Sequence, residues 1–129
     1  MYGAPEDGKM YQQPAKIVNL TIANAAAISE EFYMGDHIVG LVHVPASWTD
    51  ANIGFKISPT TGGTFVVAKD KTGSPIQISG INTTTGAAYA IPTELAGACY
   101  VKLWSKNTTA ATETDNNQTN AKALTVTLK

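Results

Sequence analysis

The sequence predicts an all-β protein: one antiparallel sandwich of about eight short strands behind an irregular N-terminal arm. Three observations carry that prediction. Apolar and polar residues alternate over short runs, as in Val18, Leu20, Ile22, then Ile53, Phe55, Ile57, then Leu124, Val126, Leu128. The runs are separated by clusters of Gly, Pro, Asn and Asp such as Pro59-Thr60-Thr61-Gly62-Gly63 and Asp70-Lys71-Thr72-Gly73-Ser74-Pro75. No stretch sustains a 3.6-residue apolar period for the length of a stable helix. With 129 residues, 43% of them hydrophobic, the chain holds one core and is too short for two ordinary domains.

Residues 1–15 form the arm and residues 16–129 the sandwich domain. The arm, MYGAPEDGKMYQQP and the following Ala15, has no strand or helix period; Met1, Tyr2, Met10 and Tyr11 are its apolar anchors. Residues 16–23 are the first strand. Residues 28–34 are the second, in which Ile28, Phe32 and Met34 are expected in the core. The stretch 37–58 reads as strand, corner, strand and organises the rest. Ile38, Val42 and Val44 alternate with Val39, Leu41 and His43, so both faces of this strand are expected to be covered. Pro45 ends it, and Ser47 or Thr49 is expected to cap one turn that drops Trp48 onto the core. Ile53, Phe55 and Ile57 return as a half-buried strand with one wet face.

Short strands follow at 64–68, 76–81 and 87–91. Pro92 opens a single helical turn that ends at Gly97. In the strand at 97–105, Cys99, Val101 and Leu103 are expected on the buried face, with Tyr100, Lys102 and Trp104 on the other. Residues 106–121 are polar, rich in Asn and Thr and without period, which predicts an exposed loop reaching outward. The last strand spans 124–128.

Composition excludes several functions. A net charge of −1 with 15% charged residues, the nine Lys and Arg scattered, supplies no field to collect nucleic acid. No apolar run approaches a membrane span or the apolar core of a signal peptide. The expectation is a soluble chain made in the cytosol, beginning at its own Met and ending on its last strand. Cys99 is the single cysteine, so no intramolecular disulfide forms, and its apolar neighbours predict a buried structural thiol.

No residue pattern carries catalysis, cofactor binding or a metal. Glu30 and Glu31 are adjacent on a strand and so point to opposite faces. His37 and His43 lack a third ligand at metal-binding spacing, and Gly62-Gly63 lacks the Lys-Ser/Thr and helix of a phosphate loop. No Ser stands in a strained strand-to-helix turn. Asp70 and Asp115 lack the regular acidic spacing of a calcium loop.

Several motifs follow one another along the chain: Val18-Asn19-Leu20-Thr21-Ile22 with Ile28-Ser29, the Gly40-to-Val44 run into Pro45-Ala46-Ser47-Trp48-Thr49, and Asn52-Ile53-Gly54-Phe55 with Gly62-Gly63-Thr64-Phe65. Ile91-Pro92, Ala96-Gly97-Ala98-Cys99-Tyr100-Val101-Lys102-Leu103 and Leu124-Thr125-Val126-Thr127-Leu128 complete the order. That order resembles a family of small tailed-phage virion proteins, described as capsid decoration, cement or other structural proteins. The likeness spans about Val18 to Leu128 and rests on hydrophobic and turn motifs, which specify fold better than activity.

The resemblance implies a jelly-roll-like sandwich with no catalytic residues, bound to the major capsid protein on the capsid exterior, as a homo-oligomer such as a trimer, after assembly in the host cytoplasm. The expected partner-binding residues are Tyr2, Met10 and Tyr11 on the arm and Tyr100 and Trp104 on the sheet. The alternative is a carbohydrate-binding module, or a tail- or fibre-associated adhesion protein, stacking sugar rings on Tyr100 and Trp104.

Overall fold

The computed structural model of the protein describes residues 15–129. The arm anchors Tyr2, Met10 and Tyr11 lie outside the described residues. Nine strands and one short turn of 3₁₀ helix follow one another among the described residues. They are β1 (Lys16–Ile22), β2 (Ile28–Tyr33), β3 (Gly40–Val44), β4 (Asn52–Ser58), β5 (Val66–Val67), β6 (Gln77–Ile78), β7 (Ala87–Ala90), the 3₁₀ turn (Thr93–Leu95), β8 (Tyr100–Lys106) and β9 (Lys122–Leu128).

The first half of the chain pairs with the second half in reverse order. β1 pairs with β9, β2 with β8, β3 with β7, and β4 with both β5 and β6, all antiparallel. The β3–β9 and β4–β8 ladders then close the doubled ribbon into two sheets, ordered β1-β9-β3-β7 (the first sheet) and β2-β8-β4-β5 (the second). This is jelly-roll connectivity, in which the links β1–β2, β2–β3, β3–β4, β7–β8 and β8–β9 each cross from one sheet to the other.

Alternation fills the space between the sheets. Leu20, Ile22, Val42, Val44, Leu124, Val126 and Leu128 from the first sheet meet Phe32, Ile53, Phe55, Val101 and Leu103 from the second. Trp48 and Phe55 are in the core, at 2% and 0% exposure. The corner that carries Trp48 is not a capped helical turn, however. Ser47 takes a positive φ of 63°, and the Trp48 indole N–H donates to the Ala51 carbonyl at 3.0 Å, so the ring itself fastens the corner.

Other elements depart from the sequence reading for identifiable reasons. A bulge in β2 between Ile28 and Glu31 shifts the strand's phase, so Ser29 and Phe32 point inward and Ile28 stands outside. The buried Ser29 hydroxyl accepts from the Leu103 N–H at 3.0 Å, which fills the gap the bulge leaves in the ladder. Cys99 lies before β8 with φ of 63°, half-buried rather than on the core face. The 3₁₀ turn after Pro92 occurs as expected and buries Leu95.

The largest departure is residues 107–121, which fold back over the sandwich instead of reaching outward. Gln118, 1% exposed, is the fastening. Its side-chain oxygen accepts from the Thr49 N–H at 2.9 Å, and its amide N–H groups donate to the Ser105 hydroxyl at 2.9 Å and the Thr49 carbonyl at 3.2 Å. Its backbone exchanges bonds with Ala25 and Ala26 in the β1–β2 link. One buried amide thus ties three connections, with its polar groups satisfied.

Replacing Trp48 by Ala is expected to lower the unfolding free energy by about 3–5 kcal/mol, since a packed indole is lost and the corner loses its bond. Urea unfolding measures this, and an unchanged midpoint would place Trp48 outside the core.

Candidate interaction surface

The two outer faces of the sandwich differ, and the difference begins at Gly54. Gly54 on β4 is directly opposite Trp104 on β8, and a Cβ at Gly54 would lie 2.6 Å from Trp104 Cε3. The missing side chain lets the indole lie down across β4. Lys56 Nζ sits 4.8 Å from the Trp104 ring centroid, and the indole N–H donates to Asp115 Oδ1 at 2.7 Å. Trp104 is 1% exposed. The expectation that it faces a partner or a sugar is corrected: loop 107–121 covers it.

Next to it, Lys106 is fully buried. Its ammonium donates to Gln77 Oε1 at 2.8 Å and to the carbonyls of Asn107 at 3.0 Å and Thr109 at 3.1 Å, so three acceptors hold the start of the loop. Gln77 in turn donates to the Ala110 carbonyl, Asn52 donates to the Thr108 carbonyl, and Lys122 donates to the Thr119 carbonyl. Lys69 pairs with Glu113 at 3.0 Å. The outer face of the second sheet is thereby sealed along half its length.

Among what stays open on that sheet, besides Val66 at 57% and Ile28 at 36% exposure, is a tyrosine pair at its far end. Tyr33 on β2 is opposite Tyr100 on β8, with ring centroids 4.9 Å apart, and Tyr33 is 47% exposed while Tyr100 is half-buried. Lys16 Nζ donates to the Tyr33 carbonyl and lies 5.6 Å from its ring. Glu31 beside them accepts from the Thr61 hydroxyl and the Gly62 N–H, which hold its carboxyl below the usual range.

The outer face of the first sheet is open instead. Register aligns Ile17, Thr127, Leu41 and Ala90 in one row across β1, β9, β3 and β7, and Asn19, Thr125, His43 and Ala88 in the next. One end of this face is apolar: Ile17 is 66% exposed, Val39 50% and Leu41 41%, and Ile38, next to Val39 in the β2–β3 link, is 63% exposed. These are four of the seven large hydrophobics that stand exposed among the described residues. Beside Val39 and Leu41 lies a shallow depression of about 340 Å³ lined also by Ala15, Gly40, Thr127, Leu128 and Lys129. Gly40 pairs with Leu128 and its missing side chain is on the inward side, where a Cβ would meet the Thr127 carbonyl at 2.7 Å and Leu128 Cδ2 at 2.8 Å, so the glycine lets β3 lie close against β9.

β3 was expected to be covered on both faces and β4 to have a wet face, and the structure reverses the two. Trp104 and the returning loop cover β4, while no described residue covers Leu41 and His43 on β3. Sequence reasoning therefore placed Val39 and Leu41 in the interior and missed them as surface. The available signal was the row of small and β-branched neighbours Thr125, Thr127, Ala88 and Ala90, which suits a flat, accessible sheet face.

Among the described residues no group of three or more His, Cys, Asp or Glu is placed to hold a metal. His43 stands on the open face of the first sheet, and His37 lies in the β2–β3 link. The arrangement offers shape and apolar area.

Burial pushes the Lys106 ammonium below the ordinary lysine value, with Glu113 partly offsetting it. The unfolded chain then holds that proton more tightly than the folded one. Stability from this group is lower where it is charged and rises as pH climbs from its folded pKa toward the free-lysine value of about 10.4. The unfolding free energy of the natural chain, measured against Lys106→Met in urea, is expected to increase between neutral and alkaline pH. A difference that stays flat or falls would contradict the assignment.

No protein-family model and no curated protein matches the chain. Among solved structures, the crystal structure of the SPBc2 prophage-derived protein YomS is similar: 18% sequence identity, 93% of this chain and 98% of that chain covered, and a TM-score of 0.48.

Proposed function

We propose that this chain is a non-enzymatic structural protein of a phage virion, a capsid decoration or cement protein that binds the head shell through protein–protein contacts. The observation that carries the reading is the uncovered apolar end of the first sheet, Ile17, Ile38, Val39 and Leu41. Exposed apolar area gathered in one place on an otherwise polar surface marks an interaction site. Each aliphatic group buried by a partner contributes about 1.5–3 kcal/mol, so four of them form the core of a stable contact. The order of sequence motifs, which resembles that of small phage virion proteins, supports the same reading. The partner is the major capsid protein, the active form a homo-oligomer, a trimer by analogy, and the location the capsid exterior after assembly in the host cytoplasm.

The test is whether the chain is a stoichiometric component of purified virions. In the same system, Leu41→Glu is expected to leave stability within about 0.5 kcal/mol, as for an ordinary surface change, while abolishing incorporation. Full incorporation of Leu41→Glu would remove the apolar end from the contact.

A second reading, a carbohydrate-binding module or tail- or fibre-associated adhesion protein, is favoured by the Tyr33–Tyr100 pair, which replaces Trp104 as the accessible aromatic surface. It predicts glycan binding that Tyr33→Ala weakens at least about tenfold, the loss of roughly 1.4 kcal/mol, and that Leu41→Glu leaves unchanged. Glycan-array binding by the isolated protein decides it, and a blank array removes this reading.

A further inference from the structure

We infer that the depression on the outer face of the first sheet is the acceptor for residues 1–14 of a second copy of this chain, whose Tyr11 and Met10 enter between Val39, Leu41 and Thr127. The inference rests on the oligomeric reading above and names the contact that builds the oligomer: Val39 and Leu41 then act in incorporation through the oligomer, and Ile17 and Ile38 are left for the head shell.

Three observations converge. The depression is apolar, bounded by Ala15, Val39, Leu41 and Leu128, and its volume of about 340 Å³ suits an aromatic or thioether side chain rather than a flat sheet. The segment outside the described residues ends at its rim, because Ala15 is itself part of the lining. That segment carries the right chemistry: Met1, Tyr2, Met10 and Tyr11 are separated by small, polar and charged residues, and fourteen residues reach at most about 50 Å when extended.

The direction of the chain selects a second copy over the segment's own sheet. Ala15 enters β1 outside any turn, and Lys16 is already paired with Leu128. Pro14 restricts the residue before it to extended conformations, so a tight reversal next to β1 is disfavoured. A straight continuation of β1 beyond Ala15 would leave the sheet at the end where Lys16 pairs with Leu128, so filling its own depression would require a reversal that a neighbour's segment does not need. Each copy then donates one segment and accepts another. Exchanged reciprocally between two copies such a contact makes a dimer, and passed head to tail it closes as a ring, of which the trimer of the reading above is one.

The experiment is disulfide trapping in the full-length chain with Cys99→Ser, which removes the natural thiol. Met10→Cys or Tyr11→Cys is combined with Val39→Cys or Leu41→Cys, and the products of mild oxidation are resolved by non-reducing electrophoresis and peptide mass spectrometry. Val39 and Leu41 are surface positions, so the variants retain the core. The expected result is an interchain disulfide joining residue 10 or 11 to residue 39 or 41, giving a covalent ladder that ends at the ring size and that single-cysteine variants do not reproduce. A disulfide confined within monomers would overturn the inference in favour of the chain's own segment. The absence of any cross-link in a protein that still associates would overturn it by placing the segment elsewhere. These outcomes are read on the isolated protein, so a chain that cross-links as expected yet is missing from virions sinks the virion reading and leaves the segment contact standing.

Discussion

The packing of Trp104 across Gly54 determines which side of this molecule is available. A side chain at Gly54 would stand the indole up and away from β4. Lying flat, the ring reaches Asp115 and gives loop 107–121 a surface to close on, while Lys106 binds two of the loop's carbonyls and the loop's own Gln118 binds Thr49 and Ser105. The same polar groups left buried and unpaired would each cost about 1–3 kcal/mol, so the loop and the strand beneath it are expected to hold together. Once the second sheet is sealed in this way, the exposed aliphatic surface gathers on the first sheet.

Much of the fold was legible because it depends on local alternation. The positions of β1, β4, β8 and β9, the burial of Trp48, Phe55, Val101 and Leu103, and the turn after Pro92 follow from a period of two and from turn chemistry. What was illegible depends on contacts between residues distant in sequence. The β2 bulge turns Ile28 outward without any mark in the residues of β2, since Ile28-Ser29-Glu30-Glu31-Phe32 also reads as a regular strand. Gln118 resembles any other amide in an Asn- and Thr-rich loop, yet it holds Thr49, 69 residues away, and the β1–β2 link.

The candidate surface was the least legible part, and for a specific reason. Hydrophobicity on both faces of a strand signals that both will be covered, but it does not say by what. For β4 the cover is the chain's own loop, recruited by Trp104. For β3 the cover is absent from the described residues, so Val39 and Leu41, which read as interior, stand at 50% and 41% exposure. An apolar strand face that no described residue covers suits the proposed contact with another molecule, whereas the jelly roll around it is shared by capsid, lectin and enzyme domains and does not choose among them.

The central claim is that the molecule has one sealed face and one working face. Carbene footprinting of the isolated and the assembled protein, read residue by residue, tests it directly. The account predicts that assembly protects residues 17, 38, 39 and 41, while Trp104 and loop 107–121 are equally unreactive in both states. Protection concentrated on Tyr33 and Tyr100, or labelling of Trp104 in the isolated chain, would contradict it.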